Sequence, residues 1–103
     1  MKTIICVLVP ADGRARRYSM AGDIASRQKA VGGYVEVLHG DGFAVLCDEE
    51  GLIHRRPPNK LIGGLVGDVL LVKKESLKSG FTRQEADRLA TAVNNGEYVY
   101  GYR

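Results

Sequence analysis

The chain reads as an α+β protein, and three observations predict it. Short apolar, β-rich runs are bounded by glycine, proline, aspartate and asparagine. A capped segment with apolar residues at helical spacing lies near the end, and a shorter capped segment lies in the first half. The expected architecture is a bent, mainly antiparallel sheet of about five strands, with one short N-terminal-half helix and one C-terminal helix. At 103 residues the chain has the size of one domain and can bury a core without metals or disulfides. We expect a globular domain over residues 1–96 and an aromatic tail over residues 97–103.

Thr3–Val9 is almost continuously apolar, as suits a strand buried on both faces. Pro10 closes it, and Ala11-Asp12-Gly13 is a turn. An N-terminal apolar run also raises the question of a secretion signal. This one is short, ends in proline and has no small-residue cleavage site before Asp12, so it reads as a strand of a cytoplasmic protein. Arg14–Met20 alternates poorly and reads as an exposed edge strand, where charges discourage pairing with other molecules.

Asp23 is placed to cap a short helix from Ile24 to about Val31, closed by Gly32 in the left-handed conformation. Ile24, Gln28 and Val31 then share a face, with Arg27 elsewhere. Tyr34–His39 and Phe43–Asp48 are strands joined through Gly40-Asp41-Gly42. Asp48–Gly51 is a second reversal, and Leu52–Arg55 is expected to pair as a third strand of a meander. Pro57-Pro58-Asn59 must be a loop. Leu61–Leu65 is apolar but broken by Gly63-Gly64, and Gly67-Asp68 leads into a strong strand at Val69–Lys73.

The last helix is the most legible. Thr82-Arg83-Gln84-Glu85 fits the capping box, in which a hydroxyl and a carboxylate satisfy reciprocal backbone amides. Phe81 and Ala86 are spaced as a weak hydrophobic staple. Ala86, Leu89, Ala90 and Val93 give the packing face, and Asn94-Asn95-Gly96 stops the helix. The tail from Glu97 to Arg103 is β-prone and tyrosine-rich.

Two groups of these signals resemble a known family. The first is a proline-closed strand followed by a helix running into Val31-Gly32-Gly33. The second is Glu49-Glu50-Gly51, then Pro58-Asn59, Gly67-Asp68-Val69-Leu70, and the capped helix entered through Phe81-Thr82 with Glu85. Together they resemble the small bacterial and phage domain-of-unknown-function family DUF3846, over roughly Thr3 to Val93. The resemblance implies a small protein of bacteria, phages or mobile elements and brings no enzymatic activity with it. Arg14–Tyr18 and the tyrosine-rich tail are not part of the family pattern.

Composition bounds the remaining readings. An apolar fraction of 45% and a charged fraction of 26% are those of an ordinary globular protein, and no stretch is long enough to span a membrane. The net charge of +3 is uneven. Lys2, Arg14, Arg16, Arg17, Arg27 and Lys29 face only Asp12 and Asp23 before Val31, whereas Asp48-Glu49-Glu50 is acidic. Cys6 and Cys47 lie in apolar runs and read as buried thiols, since a disulfide would need an oxidising compartment.

No catalytic or metal motif stands out, and no cofactor is expected. The glycines between 63 and 67 match neither a phosphate loop nor a dinucleotide fingerprint. His39, Cys47, Asp48 and His54 match no zinc spacing. A Cys47–His54 nucleophilic pair is disfavoured because Cys47 sits in an apolar run. Asp48-Glu49-Glu50 reads as solvated carboxylates. Asn59 either bonds its own turn or helps hold a polar ligand. The candidate ligand- or partner-binding residues are Arg14, Arg16, Arg17, Tyr18, His54, Arg55, Arg56, Asn59 and Lys60, because arginine grips phosphates and tyrosine stacks on bases.

The expected function is that of a non-catalytic binding protein of phage or mobile-element type, engaging a host protein or a small anionic ligand, with interference in host defence as one purpose. A nucleic-acid-binding accessory protein using the arginines is the first alternative, and a small enzyme centred on His54 and Asn59 the second. A homodimer through edge strands or the tail is a further option.

Overall fold

A strand that must bury both faces cannot alternate apolar and polar residues, and the first strand shows why. In the computed structural model, Val7 and Val9 of β1 (Thr3–Val9) pack into one apolar cluster, while Ile4, Cys6 and Leu8 pack into another on the opposite face. The structure describes residues 3–33, 35–39, 43–48, 50–62, 64–73 and 80–96. The other elements are β2 (Arg16–Ala21), α1 (Ile24–Val31), β3 (Val35–His39), β4 (Ala44–Asp48), β5 (Val69–Val72) and α2 (Arg83–Asn94). They form an α+β fold with one five-stranded sheet in the order β2-β1-β5-β4-β3, antiparallel at every pairing. Val31 of α1 joins the cluster on one face. Ala86, Ala90 and Val93 of α2 join the cluster on the other.

The edge strand expected before the first helix is β2, paired with β1 from Thr3↔Ala21 to Leu8↔Arg16. Met20 and Tyr18 pack toward α1, and Arg17 lies on the α2 face, 3.1 Å from Asp87. Asp23 caps α1 by accepting from the Ser26 amide at 2.7 Å, and Gly32 closes it at φ 83°. The expected positions of the Ile24 and Arg27 side chains lie outside the described residues, as does the turn at residues 40–42 between β3 and β4.

β5 is the centre of the sheet. All four of its residues are fully buried, between β1 on one side and β4 on the other. This corrects the expected meander. Both edges of β4 are occupied, by β3 and β5, so Leu52–Arg55 cannot continue a meander beside β4. The segment instead makes successive turns and leaves Leu52 80% and Ile53 75% exposed.

The connection from β4 to β5, residues 49–68, is longer than most loops inside compact domains, which rarely exceed about 12–15 residues without structure of their own. Its second half folds over the α2 face of the sheet. Ile62 is buried there, with Leu61 and Leu65 packed beside it. Asn59 holds this half in place. Its Nδ2 donates to the carbonyls of Val9 and Gly67, both at 3.0 Å. Its Oδ1 accepts from the amides of Leu61 at 3.0 Å and Ile62 at 2.9 Å. The helix that shares this face is held at both ends. The capping box is complete, with Glu85 N to Thr82 Oγ1 at 3.1 Å and Thr82 N to Glu85 Oε1 at 2.8 Å. Asn94 clamps the far end through the amide and carbonyl of Ala15, at 2.6 and 2.9 Å.

Replacing Asn59 by alanine leaves two buried carbonyls and two loop amides without their partner. Such groups cost on the order of 1–3 kcal/mol each, with partial relief as water enters. Asn59→Ala is expected to destabilise the fold by about 3 kcal/mol. Urea unfolding should record this as a lower midpoint at an unchanged slope.

Candidate functional site

The first half of the same loop builds the candidate site, and Asp48 is its foundation. Asp48 ends β4 on the α1 face with its side chain wholly out of solvent. Its carboxylate starts the turn by accepting from the Glu50 amide at 3.0 Å, and its carbonyl accepts from the Gly51 amide at 3.1 Å. Further backbone bonds, His54 N to Glu50 O and Arg56 N to Gly51 O, both at 2.9 Å, return the chain over the carboxylate. His54 Nδ1 then lies 2.7 Å from Asp48 Oδ2, and Arg56 Nε donates to the same oxygen at 3.1 Å. Arg56 also donates through Nη2 to Gly32 O at 2.6 Å, tying the loop to the end of α1.

Close approach defines the floor. A Cβ on Gly33 would lie 2.6 Å from Asp48 Oδ1, so a side chain there collides with the buried carboxylate. Arg55, between the two Asp48 partners, has φ 56°. A non-glycine residue in the left-handed region costs about 1 kcal/mol or more, and such strain gathers at functional sites.

Burial pushes the Asp48 carboxyl up. The hydrogen bonds from His54, the Glu50 amide and Arg56, with the charge of His54, more than reverse this and hold it below its ordinary value. An ionised Asp48 can only accept, so the neutral imidazole carries its proton on Nδ1. Nε2 is then the acceptor on the side away from the buried carboxylate. The His54 side chain is 39% exposed. Beside it is an open cavity of about 310 Å³ bounded by Gln28, Gly33, Glu50 and His54. On the other side of the turn a cleft of about 360 Å³ runs between Leu52–Ile53 and Gly64–Val66.

Asp48 is the residue that sequence reasoning missed, since the acidic run was expected to be solvated. The correction is physical. Asp48 continues a strand with both edges paired and every residue buried, so it enters the interior with its strand. Its signal was an aspartate closing the apolar run Ala44–Cys47, with a histidine and an arginine six and eight residues on. Glu49 lies outside the described residues.

The nine expected binding residues do not form one surface. His54 and Arg56 meet at Asp48, and Arg55 lies exposed between them. Asn59 is buried in the scaffold with its amide fully bonded, and Lys60 is exposed beyond it. Arg14 is exposed before β2. Arg16 lies over the Tyr18 ring, 5.5 Å from its centroid, whereas Arg17 is on the opposite face with Asp87. Of the residues considered for zinc, Asp48 and His54 come together, but Cys47 packs into the cluster on the opposite face. The His39 side chain lies outside the described residues. Among the described residues no three histidine, cysteine, aspartate or glutamate side chains converge, and no helix is long and apolar enough to cross a membrane. Cys6 is buried, and burial raises its thiol to about 12.

Comparison with known proteins gives a family. The chain belongs to the family described as Domain of unknown function (DUF3846), which matches residues 1–93. No curated protein and no solved structure matches the chain.

The lowered Asp48 carboxyl makes stability depend on pH with a definite sign. Its folded value lies below the unfolded one of about 3.9, so the stability it adds is fully present above about pH 5 and is lost as pH falls through the folded value. Asp48→Asn should lower stability at pH 7 by about 2 kcal/mol, the scale of hydrogen bonds to a charged group. It should also flatten the decline between about pH 5 and 3. Asp23 and Glu85, lowered by their capping bonds, leave a residual slope in the variant. Urea unfolding at pH 7, 5 and 3 measures both effects.

Proposed function

We propose that this member of the family is a non-catalytic binding protein whose docking element is the turn over residues 50–56, and that its ligand is another protein. One observation carries the reading. Leu52 and Ile53 stand 80% and 75% exposed at the head of a turn whose base is anchored on a buried carboxylate. Single exposed apolar residues are common on proteins and need no explanation. Two in sequence, on a turn held by a charged network and flanking a cleft of about 360 Å³, are a different matter. A pre-ordered apolar projection loses little conformational freedom on binding.

The phage or mobile-element setting rests on the family resemblance, and a host protein as partner with host defence as the affected process is this proposal's extension of that setting. The arrangement of the arginines favours a protein partner over nucleic acid. A phosphate backbone is gripped by basic groups aligned on one surface, whereas Arg16 and Arg17 lie on opposite faces and Arg56 is turned inward.

Site-specific photocrosslinking tests the reading in cells of the native host. A photoreactive residue at Ile53 is expected to yield one discrete adduct, which disappears when Leu52→Asp is added. The same residue at Thr91 on the outer face of α2 should yield none. Leu52→Asp should alter stability by no more than about 0.5 kcal/mol, as is usual for exposed positions. An adduct at twice the chain mass would make a second copy the partner. Identical adducts from Ile53 and Thr91 would refute the assignment of the turn.

A further inference from the structure

The cavity beside His54 has a chemistry that the apolar projection does not use. Gln28 and Gly33 bound it from the end of α1, and Glu50 and His54 bound it from the turn. At about 310 Å³ it sits at the small end of ligand sites, which suits a compact molecule.

Three features set its electrostatic preference. The first is His54, whose Nδ1 lies 2.7 Å from Asp48, so that in the neutral imidazole Nε2 presents a lone pair. The second is Glu50, an acidic residue among those that line it. The third is the C-terminal end of α1, where the peptide dipoles leave partial negative charge. That end already attracts a cation of the protein itself, since Gly32 O holds the Arg56 guanidinium at 2.6 Å. Arg56 offsets the charge of Asp48. Arg27 and Lys29 of α1 and Arg55 in the turn are the other cationic residues of these elements, the Arg27 side chain lying outside the described residues. Among the described residues that line the cavity there is therefore an acidic side chain and no lysine or arginine.

We propose that this cavity is a binding site for a small primary amine. The ammonium donates one hydrogen to Nε2 of His54 and another to the Glu50 carboxylate. An ammonium has three donors and no acceptor, which matches a wall of this kind. The site shares Glu50 and His54 with the proposed docking turn but not its apolar head, since neither Leu52 nor Ile53 lines this cavity.

The test is an NMR titration of the nitrogen-15-labelled protein with ethanolamine at constant ionic strength, read at the His54 ring nitrogens and the Gly33 amide. Saturable shifts are expected with ethanolamine, whereas acetate and inorganic phosphate should give none. Ethylene glycol, which replaces the ammonium by a hydroxyl, should bind about tenfold more weakly or worse, because charge-assisted hydrogen bonds are the stronger ones. Glu50→Gln should weaken ethanolamine by a similar factor, while Thr91→Ala on the outer face of α2 should leave it unchanged. Shifts that never saturate, an equal response to phosphate, or equal binding of ethanolamine and ethylene glycol would each overturn the proposal. The comparison of ligands is made on the unaltered protein, so it decides the matter even if a variant misfolds.

Discussion

Asp48 and Asn59 are the buried polar side chains among the described residues, and the long connection between β4 and β5 depends on both. Taking a polar group out of water is costly unless its hydrogen bonds are replaced. Here the replacement comes from the loop itself, through the amides of Glu50, Leu61 and Ile62 and the side chains of His54 and Arg56. The dependence runs in both directions. Without the bonds the loop gives it Asp48 would be buried and unsatisfied, and without Asp48 and Asn59 the loop would have little regular structure to hold it. These bonds hold a segment whose described residues belong to no helix or named strand.

The two anchors act in different ways. Asn59 is neutral and bonds only to backbone, so its contribution is the same at every pH at which the fold exists. Its task is to close the core, since Ile62 covers the α2 face only if the loop is pinned beside Val9 and Gly67. Asp48 is charged and is met by side chains that remain about a third exposed. Such a network is satisfied within the protein and yet reaches the surface. A buried carboxylate that orients a surface imidazole costs more to maintain than an apolar pair of the same size, which points to a role besides packing.

The elements decided by local chemistry could be read directly from the chain. The all-apolar run Thr3–Val9, the Asp23 and Gly32 caps, and the reciprocal Thr82–Glu85 pair each specify their outcome within a few residues, and the structure places each as expected. What escaped was the product of strand order. Nothing in Leu52–Arg55 says that both edges of β4 are already taken, because one neighbour, β5, lies beyond the loop. The burial of Asp48 has the same origin. So does the separation of Arg16 from Arg17, which stand side by side in the chain but on opposite faces of an edge strand. A cluster counted along the sequence becomes a cluster in space on a loop or a helix face, but an extended strand divides it.

The family match ends at residue 93, just short of the last residue of α2, and so spans the whole sheet and both buried anchors. The exposed side chains of Leu52 and Ile53 are supported by a framework on either side, to which Leu52 adds only its carbonyl, accepting from the Arg55 amide. Their neighbours His54 and Arg56 bond to Asp48, and Gly51 beneath them is buried against Val66. Side chains at the head of such a turn can change without disturbing its base, because no interior contact depends on them. Under the proposed docking function, such a fold would separate the conformation of the turn, which Asp48 sets, from its specificity, which would fall to the residues at 52 and 53.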